Sequence, residues 1–175
     1  AQEGTQALKN LNKPTLAMID GYCIGGGVAI ALNCDMRIAA DHSRFAVPAA
    51  KLGLGYEYDG VRKLVDVVGP SFAKEIFFTA RQFSAPEALA MGLINRMVPK
   101  ADLLAYVQQY AETIAANAPM TVASIKTIVG ELVKDESLRN VTLCDQLVAA
   151  CFNSADFTEG RTAFMEKRKP VFINR

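Results

Sequence analysis

Tryptophan is absent from the 175-residue sequence, histidine occurs once, and the formal net charge is only +1. A net charge so close to zero gives no strong attraction to nucleic acid or to an anionic membrane surface. No apolar run approaches the roughly 18 residues that a membrane-spanning helix needs. The single histidine, His42, lies in a predicted turn without a nearby nucleophile pattern, and no set of residues has metal-ligand spacing. We therefore expect no nucleic-acid, membrane or metal partner.

The four cysteines lack the Cys-x-x-Cys spacing of a zinc or redox site, and each lies in an apolar segment: Cys23, Cys34, Cys144 and Cys151. Cysteines in such segments behave as small hydrophobic residues, and unpaired thiols are typical of a reducing compartment. No secretory signal opens the chain. These features predict a protein of the cytoplasm or of the mitochondrial or peroxisomal matrix.

Residues 1–100 alternate short apolar strands with helical patterns, which predicts α/β structure. Strands are expected at 15–19, 36–40, 44–48 and 93–98, and helices directly after Gly27 and at 61–68, 71–79 and 85–91. The segment Ser84-Ala-Pro-Glu87 has the form of an N-cap, a first-turn proline and a capping-box acid. Residues 49–60 show no clean period, which predicts irregular structure over a cavity.

Residues 101–175 are expected to be helical, with helices at 102–117, 119–134, 137–154 and about 157–168, the last capped by Asp156. Helices with apolar faces and no sheet of their own usually pack on another surface, so this part of the chain predicts an oligomer interface. A self-contained helical bundle is the alternative.

Three consecutive glycines, Gly25, Gly26 and Gly27, stand between an apolar strand and a short helix. A glycine backbone allows another molecule to approach closely. The first N–H groups of a helix and the helix dipole favour a phosphate or a developing oxyanion. Tight packing of the strand against the helix is the alternative use of such a cluster. The spacing does not satisfy Gly-x-Gly-x-x-Gly, so a dinucleotide site is not indicated.

Several further motifs occur with the glycines in a fixed order: Lys13-Pro-Thr15, Asn33-Cys-Asp35, Phe45 to Pro48 with Leu52-Gly53, Ser84 to Leu93, and Phe164 to Pro170. Together they resemble the crotonase (enoyl-CoA hydratase/isomerase) superfamily over nearly the whole chain. The resemblance implies an α/β fold, with a spiral of repeated ββα turns over residues 1–100 and a helical trimerisation region over residues 101–175. It also implies that earlier turns of the spiral precede this sequence.

The resemblance further implies a homotrimer or hexamer that acts on acyl-CoA thioesters. Coenzyme A would enter as part of the substrate, and no other cofactor is implied. The backbone N–H of Gly26, between Gly25 and Gly27, would be one of two oxyanion-hole donors that stabilise a thioester enolate. Hydratases of the family have glutamates at the positions of Ala29 and Ala49, and a methyl group cannot transfer a proton. The acid pattern is therefore closest to that of the Δ3,Δ2-enoyl-CoA isomerases of fatty acid or related acyl-CoA metabolism.

Isomerases of the family have a single acid four residues beyond the Leu-Gly pair, and Glu57 stands at that position. Asp59 is the rival base, and both acids are also typical of solvated loop residues. Tyr56 and Tyr58 flank Glu57 and would supply apolar walls or hydrogen bonds. Lys167, with Arg168 and Lys169, would meet CoA phosphates as a C-terminal lysine does in family members, but for any one of them a solvated helix end is the favoured interpretation. Hydration with atypical acids and non-catalytic acyl-CoA binding remain open as alternative functions.

Overall fold

A computed structural model describes residues 7, 8 and 10–175. The described residues form two compact units. The first holds residues 7–8, 10–11 and 15–108, and the second holds residues 12–14 and 109–175.

The first unit contains six short strands with helices between them. In chain order these are β1 (Leu16–Ile19), β2 (Tyr22–Ile24), α1 (Gly26–Ala31), β3 (Met36–Ala40), β4 (Arg44–Ala46), α2 (Ala49–Leu52), α3 (Tyr58–Thr79), β5 (Phe83–Ser84), α4 (Ala85–Ala90) and β6 (Arg96–Val98). A 3₁₀ turn (Lys100–Asp102) and helix α5 (Leu103–Ala115) follow in the chain. The predicted alternation of strand and helix is confirmed.

The strands form two three-stranded sheets, ordered β1-β3-β6 and β2-β4-β5. All pairs in the first sheet are parallel, and in the second β2 pairs parallel with β4 while β4 pairs antiparallel with β5. Strand β3 is the middle strand of its sheet, and its residues Ile38, Ala39 and Ala40 are fully buried. Strands that are buried on both faces are rich in apolar residues, and in β3 all residues except Arg37 are apolar, which is why the sequence predicted this strand well.

The core of the first unit is formed by residues of both sheets and of helices α1, α3 and α4. It is built from apolar side chains that include Val28, Phe45, Leu64, Ile76, Phe83 and Ile94. Helix α1 contributes Val28 and Ala31, its two buried residues. This packing fixes the position of the glycine-rich start of α1, because a buried helix face restricts rotation of the helix.

Two expectations for the first unit need correction. Strands β2 and β5 were not predicted, since their three and two residues are too few to show a period. Residues 49–60 were expected to be irregular throughout, but α2 occupies Ala49–Leu52 and α3 already begins at Tyr58. Gly53 ends α2 in the left-handed conformation with φ 62°, which favours glycine. The predicted break near residue 69 is confirmed as a kink inside α3, where Gly69 has φ 78°.

The second unit is helical, as predicted. It contains α6 (Pro119–Leu132), a 3₁₀ turn (Glu136–Leu138), α7 (Val141–Phe152) and α8 (Ala155–Glu166), and α7 contacts both α6 and α8. The expected helix over 137–154 is shorter, because Arg139 is extended and Asn140 caps α7 by accepting from the backbone N–H of Leu143.

The predicted cap of the last helix was wrong. Ser154 is the N-cap of α8, and its Oγ accepts from the backbone N–H of Phe157 at 3.0 Å. Asp156 is instead buried in the first turn, where its carboxylate accepts from the backbone N–H groups of Ile173 and Asn174. Among the helices of residues 7–8 and 10–175, none is long and apolar enough to cross a membrane.

Candidate active site

The turn between β2 and α1 is held by the backbone of Gly25. This residue has φ 55° and ψ −107°, a conformation that favours glycine, and its N–H donates to the carbonyl of Ala46 on β4 at 2.8 Å. Gly26 and Gly27 open α1 and are both exposed. A methyl group placed on Gly26 would meet no other atom within 4 Å. The backbone at the start of α1 is therefore open to another molecule.

A cavity of about 350 Å³ lies beside α1 in the first unit. Its three walls come from the end of α1 and the turn after it, from the loop between α2 and α3, and from the first turns of α3. The lining residues are Ala29, Leu32, Asn33, Leu54, Gly55, Tyr56, Glu57, Asp59, Gly60 and Lys63. Apolar side chains meet here with five that carry polar groups, a combination found in small-molecule sites.

Tyr56 forms a fixed part of this wall. Its ring packs edge-on against Phe77 of α3, with ring centroids 4.9 Å apart. It also lies against the backbone of Gly60, because a Cβ at that position would come within 2.8 Å of the ring. Burial raises the pKa of the Tyr56 hydroxyl above its ordinary value. This group is therefore protonated at neutral pH and can donate a hydrogen bond.

Glu57 and Asp59 line the same cavity at the start of α3. Glu57 is the N-cap residue, and its carbonyl accepts from the backbone N–H groups of Gly60 and Val61, both at 3.1 Å. Within the described chain, its carboxylate makes no capping hydrogen bond to α3, and both acidic side chains are exposed. The structure thus brings both candidate acids, Tyr56 and Ala29 to one cavity.

The other predicted site residues lie outside the described lining of this cavity, and they include Gly25, Gly26 and Gly27 at the start of α1. Ala49 is buried in the core at the start of α2, and Tyr58 is 75% exposed and outside the set of described residues that line the cavity. Lys167 belongs to the second unit, where it ends α8 with φ 54°. Among the described residues, no three histidine, cysteine, aspartate or glutamate side chains come together as a metal site.

Two lining residues were missed from the sequence. The side-chain amide nitrogen of Asn33 donates to the carbonyl of Ala29 at 2.6 Å, and its amide oxygen accepts from the ammonium group of Lys63. A weak signal was present, because Asn33 follows Ala29 by four residues and Lys63 follows Asp59 by four, the spacing at which helical residues share a face. Asn33 and Lys63 are 30 positions apart in the sequence, so no local sequence pattern predicts their hydrogen bond.

The sequence matches the family model for enoyl-CoA hydratase/isomerase over residues 1–175. It is 33% identical over 174 residues to a crotonyl-CoA hydratase of Syntrophomonas wolfei, covering 99% of this chain and 67% of the relative. It is 35% identical over 176 residues to a carnitinyl-CoA dehydratase of Escherichia coli K12, covering 98% of this chain and 67% of the relative.

The fold is similar to a crystal structure of an enoyl-CoA hydratase/isomerase family protein from Hyphomonas neptunium. The TM-score is 0.89 at 37% identity, covering 99% of this chain and 66% of that chain. The chain therefore belongs to the enoyl-CoA hydratase/isomerase family and has the crotonase fold. It spans about two thirds of the length of these relatives.

Proposed function

We propose that this chain forms part of an acyl-CoA-processing enzyme that moves a double bond from the 3 to the 2 position of an enoyl thioester. The observation that carries this proposal is the composition of the cavity beside α1, which is lined by the carboxylate residue Glu57 and by Ala29, whose side chain is only a methyl group. A single carboxylate is enough for this reaction, because the same group can remove the proton α to the thioester and return it at the γ carbon. Ordinary hydration would need acids at positions 29 and 49, where alanines stand.

In this mechanism Glu57 takes the α proton, and the electron pair moves into a thioester dienolate. The negative charge on the thioester oxygen is stabilised by the backbone N–H of Gly26, flanked by Gly25 and Gly27, together with a second donor. Protonation at the γ carbon by the Glu57 carboxyl restores the carboxylate and leaves the 2-enoyl thioester. Exposed Gly26, with open space around it, supports close approach of the substrate.

Hydration is the second candidate, because two of the similar proteins are named as a crotonyl-CoA hydratase and a carnitinyl-CoA dehydratase. In that reaction Asp59 or Tyr56 would position the attacking water. Both lie in the same cavity as Glu57. The reaction product separates the two functions, since hydration yields a 3-hydroxyacyl thioester and isomerisation does not.

Coenzyme A enters this proposal only as part of the substrate, and no separate cofactor is required. Lys167, exposed at the end of α8, would contact CoA phosphates through its charge. The family resemblance alone supports contact of Ala49 and Tyr58 with the substrate, since neither residue lines the described cavity.

We also propose that residues 1–100 are the spiral part and residues 101–175 the oligomerisation part of a homotrimer or hexamer. Support comes from large apolar side chains of the second unit that are more than half exposed, among them Ile125, Val129, Leu132, Leu138, Val141, Phe152, Phe164 and Met165. Exposure of this extent favours a covered interface.

The test compares Glu57→Gln with Asp59→Asn on a 3-enoyl-CoA and on a 2-enoyl-CoA. We expect Glu57→Gln to lower isomerisation by at least about a hundredfold, the usual contribution of a general base, with binding of the thioester nearly unchanged. Asp59→Asn is the matched control and should retain most of this activity. Full activity of Glu57→Gln would contradict the assignment of the base. Formation of a 3-hydroxyacyl product would favour hydration, and binding without any turnover by the unsubstituted protein would favour a non-catalytic acyl-CoA-binding role.

A further inference from the structure

Gly60 is a glycine that its own backbone conformation does not require. It lies in the first turn of α3 with helical φ and ψ, whereas the non-helical residue inside this helix is Gly69. Glycine is less favourable than alanine within a helix, because it loses more conformational freedom on folding. The reason for a glycine at position 60 therefore lies in the space around it.

That space is occupied by the ring of Tyr56. A Cβ at position 60 would lie 2.8 Å from Cε1 of Tyr56 and 3.2 Å from Cδ1, and the three atoms nearest to it all belong to this ring. Favourable contacts between carbon atoms are about 3.5–4.0 Å long. Any larger residue at position 60 would thus displace the Tyr56 ring, and glycine leaves the room in which the ring stands.

The Tyr56 ring has a second support in Phe77, which lies further along α3. The two ring centroids are 4.9 Å apart and the ring planes meet at 66°, an edge-to-face arrangement that stabilises aromatic pairs. Both rings are half-buried and pack against the core of the first unit. A ring held by the Gly60 backbone, by Phe77 and by the core cannot move aside without loss of these contacts.

Tyr56 lies where a fixed ring limits the size of the acyl group. It lines the cavity beside α1 and directly precedes Glu57, which lines the same cavity. In the proposed isomerisation, Glu57 comes within hydrogen-bond reach of the second and fourth carbons of the acyl chain. Carbons beyond the fourth then have to fit into the rest of a cavity of about 350 Å³, which is near the lower end of the roughly 300–1000 Å³ of small-molecule sites.

We propose that Tyr56, held in place by Gly60 and Phe77, restricts this site to acyl-CoA thioesters with short acyl chains. The inference rests on the proposed function, because it takes the cavity to be the acyl site. Tyr56 is then a specificity-determining residue that contacts the substrate. Gly60 and Phe77 are positioning residues that act through the Tyr56 ring.

Binding of saturated thioesters tests this restriction without requiring turnover. Isothermal titration calorimetry gives the Kd of octanoyl-CoA divided by the Kd of butyryl-CoA, here called the length ratio. Each further methylene buried in an open apolar site would tighten binding about fourfold, so an unrestricted site has a length ratio far below one. We expect a length ratio above one for the unsubstituted protein, because the longer chain meets the Tyr56 ring.

Substitutions of the two rings test which side chain sets the limit. Tyr56→Ala should lower the length ratio at least about tenfold, as expected when a hydrophobic pocket gains room for further methylenes. Tyr56→Phe keeps the ring and should keep the ratio, and Phe77→Ala should lower it by a smaller factor than Tyr56→Ala. Phe78→Ala removes a 76% exposed neighbour of Phe77 outside the cavity lining, so as the matched control it should leave the ratio unchanged.

Gly60→Ala separates positioning of the ring from a general effect on the fold. The added methyl group displaces the Tyr56 ring, and we expect the length ratio to change at least about twofold, as for coupled residues in contact. In the Tyr56→Ala background the same substitution should leave the ratio unchanged and raise the midpoint of urea unfolding, because alanine is then only the better helix former. Gly130→Ala in α6, where the added methyl group meets no atom within 4 Å, is the matched control and should not change the ratio.

Two results would overturn the restriction by Tyr56 and leave the proposed function intact: a length ratio of one or less in the unsubstituted protein, or an unchanged ratio in Tyr56→Ala. A Gly60→Ala effect on the ratio that persists in the Tyr56→Ala background would overturn the positioning role of Gly60. Failure of both thioesters to bind would overturn the acyl site itself, and the proposed function with it.

Discussion

Two helices of the first unit begin with the same backbone conformation but use their first side chains differently. The N-cap residue of α4, Ser84, has φ −72° and ψ 163°, and that of α3, Glu57, has φ −67° and ψ 146°. Ser84 accepts from the backbone N–H of Glu87, and the Glu87 carboxylate accepts from the backbone N–H of Ser84 at 2.7 Å. Glu57 makes no such side-chain cap within the described chain.

The difference follows the surroundings of the two helices. Helix α4 packs into the core, where Ala85 and Ala88 are fully buried, and a complete capping box satisfies the N–H groups of its first turn. Helix α3 begins at the cavity, and the carboxylate of Glu57 lines that cavity instead of capping its own helix. A carboxylate that is not used by the helix is available to a ligand. The comparison therefore separates a helix start that stabilises the fold from one that serves the site.

The largest expected effect comes from giving α3 a side-chain N-cap like the one that Ser84 gives α4. Glu57→Asp keeps the carboxylate and its charge but shortens the side chain to one that caps helices well. We expect the free energy of unfolding to rise by about 0.5–1 kcal/mol through the new cap. Isomerase turnover should fall by about a hundredfold, because the carboxylate is drawn back by roughly 1 Å or more from the substrate. Urea denaturation and steady-state kinetics measure the two changes.

Glu57→Gln is the control for this substitution, since it keeps the side-chain length and adds no comparable cap. It should lose turnover without gaining stability. If Glu57→Gln instead retains full turnover, the Glu57 carboxylate is not the proton shuttle, and the distinction between the two helix starts has no catalytic meaning.

The next effect is on the α4 side of the comparison. Ser84→Ala removes the hydroxyl that accepts from Glu87 N–H and that also donates to the Glu87 carboxylate at 2.8 Å. We expect a loss of about 1 kcal/mol in the free energy of unfolding, which is typical for an N-cap serine. Turnover should stay within about twofold of the unsubstituted protein at temperatures where the variant is folded, because losses of such caps act on stability. A larger loss of turnover at equal folded fraction would contradict the assignment of the α4 start to stability alone.

The same comparison explains which features the sequence predicted. The capping box of α4 was predicted from four consecutive residues, Ser84 to Glu87, because all of its hydrogen bonds are local. The start of α3 was not predicted, since Glu57 is a poor capping residue and gives no N-terminal signal. The erroneous cap at Asp156 had a similar origin, because both Ser154 and Asp156 are good capping residues and only the tertiary contacts of Asp156 distinguish them.

The candidate site was predicted in part. The family resemblance pointed to Ala29 and Glu57, and Asp59 was the rival base because it lies two residues further along the same loop. The structure brings all three residues to one cavity. The resemblance did not point to Asn33 and Lys63, which meet through folding of α3 against the turn after α1. Periodicity describes neighbours within one element, so a contact between two elements needs the tertiary fold.

The smallest expected effect is on the titration of Glu87. Hydrogen bonds from the backbone N–H and the hydroxyl of Ser84, and then from Arg81, lower the pKa of Glu87 from its ordinary value to about 2. Because the folded pKa lies below the unfolded one, the stability from this carboxylate is fully present above about pH 4.5 and is lost as the pH falls toward 2. In Ser84→Ala the backbone N–H and Arg81 remain, so the pKa should rise only part of the way toward its ordinary value. Carboxyl-carbon NMR across pH 2–6 measures both values, and an unchanged Glu87 pKa in Ser84→Ala would show that the hydroxyl does not contribute to this helix start.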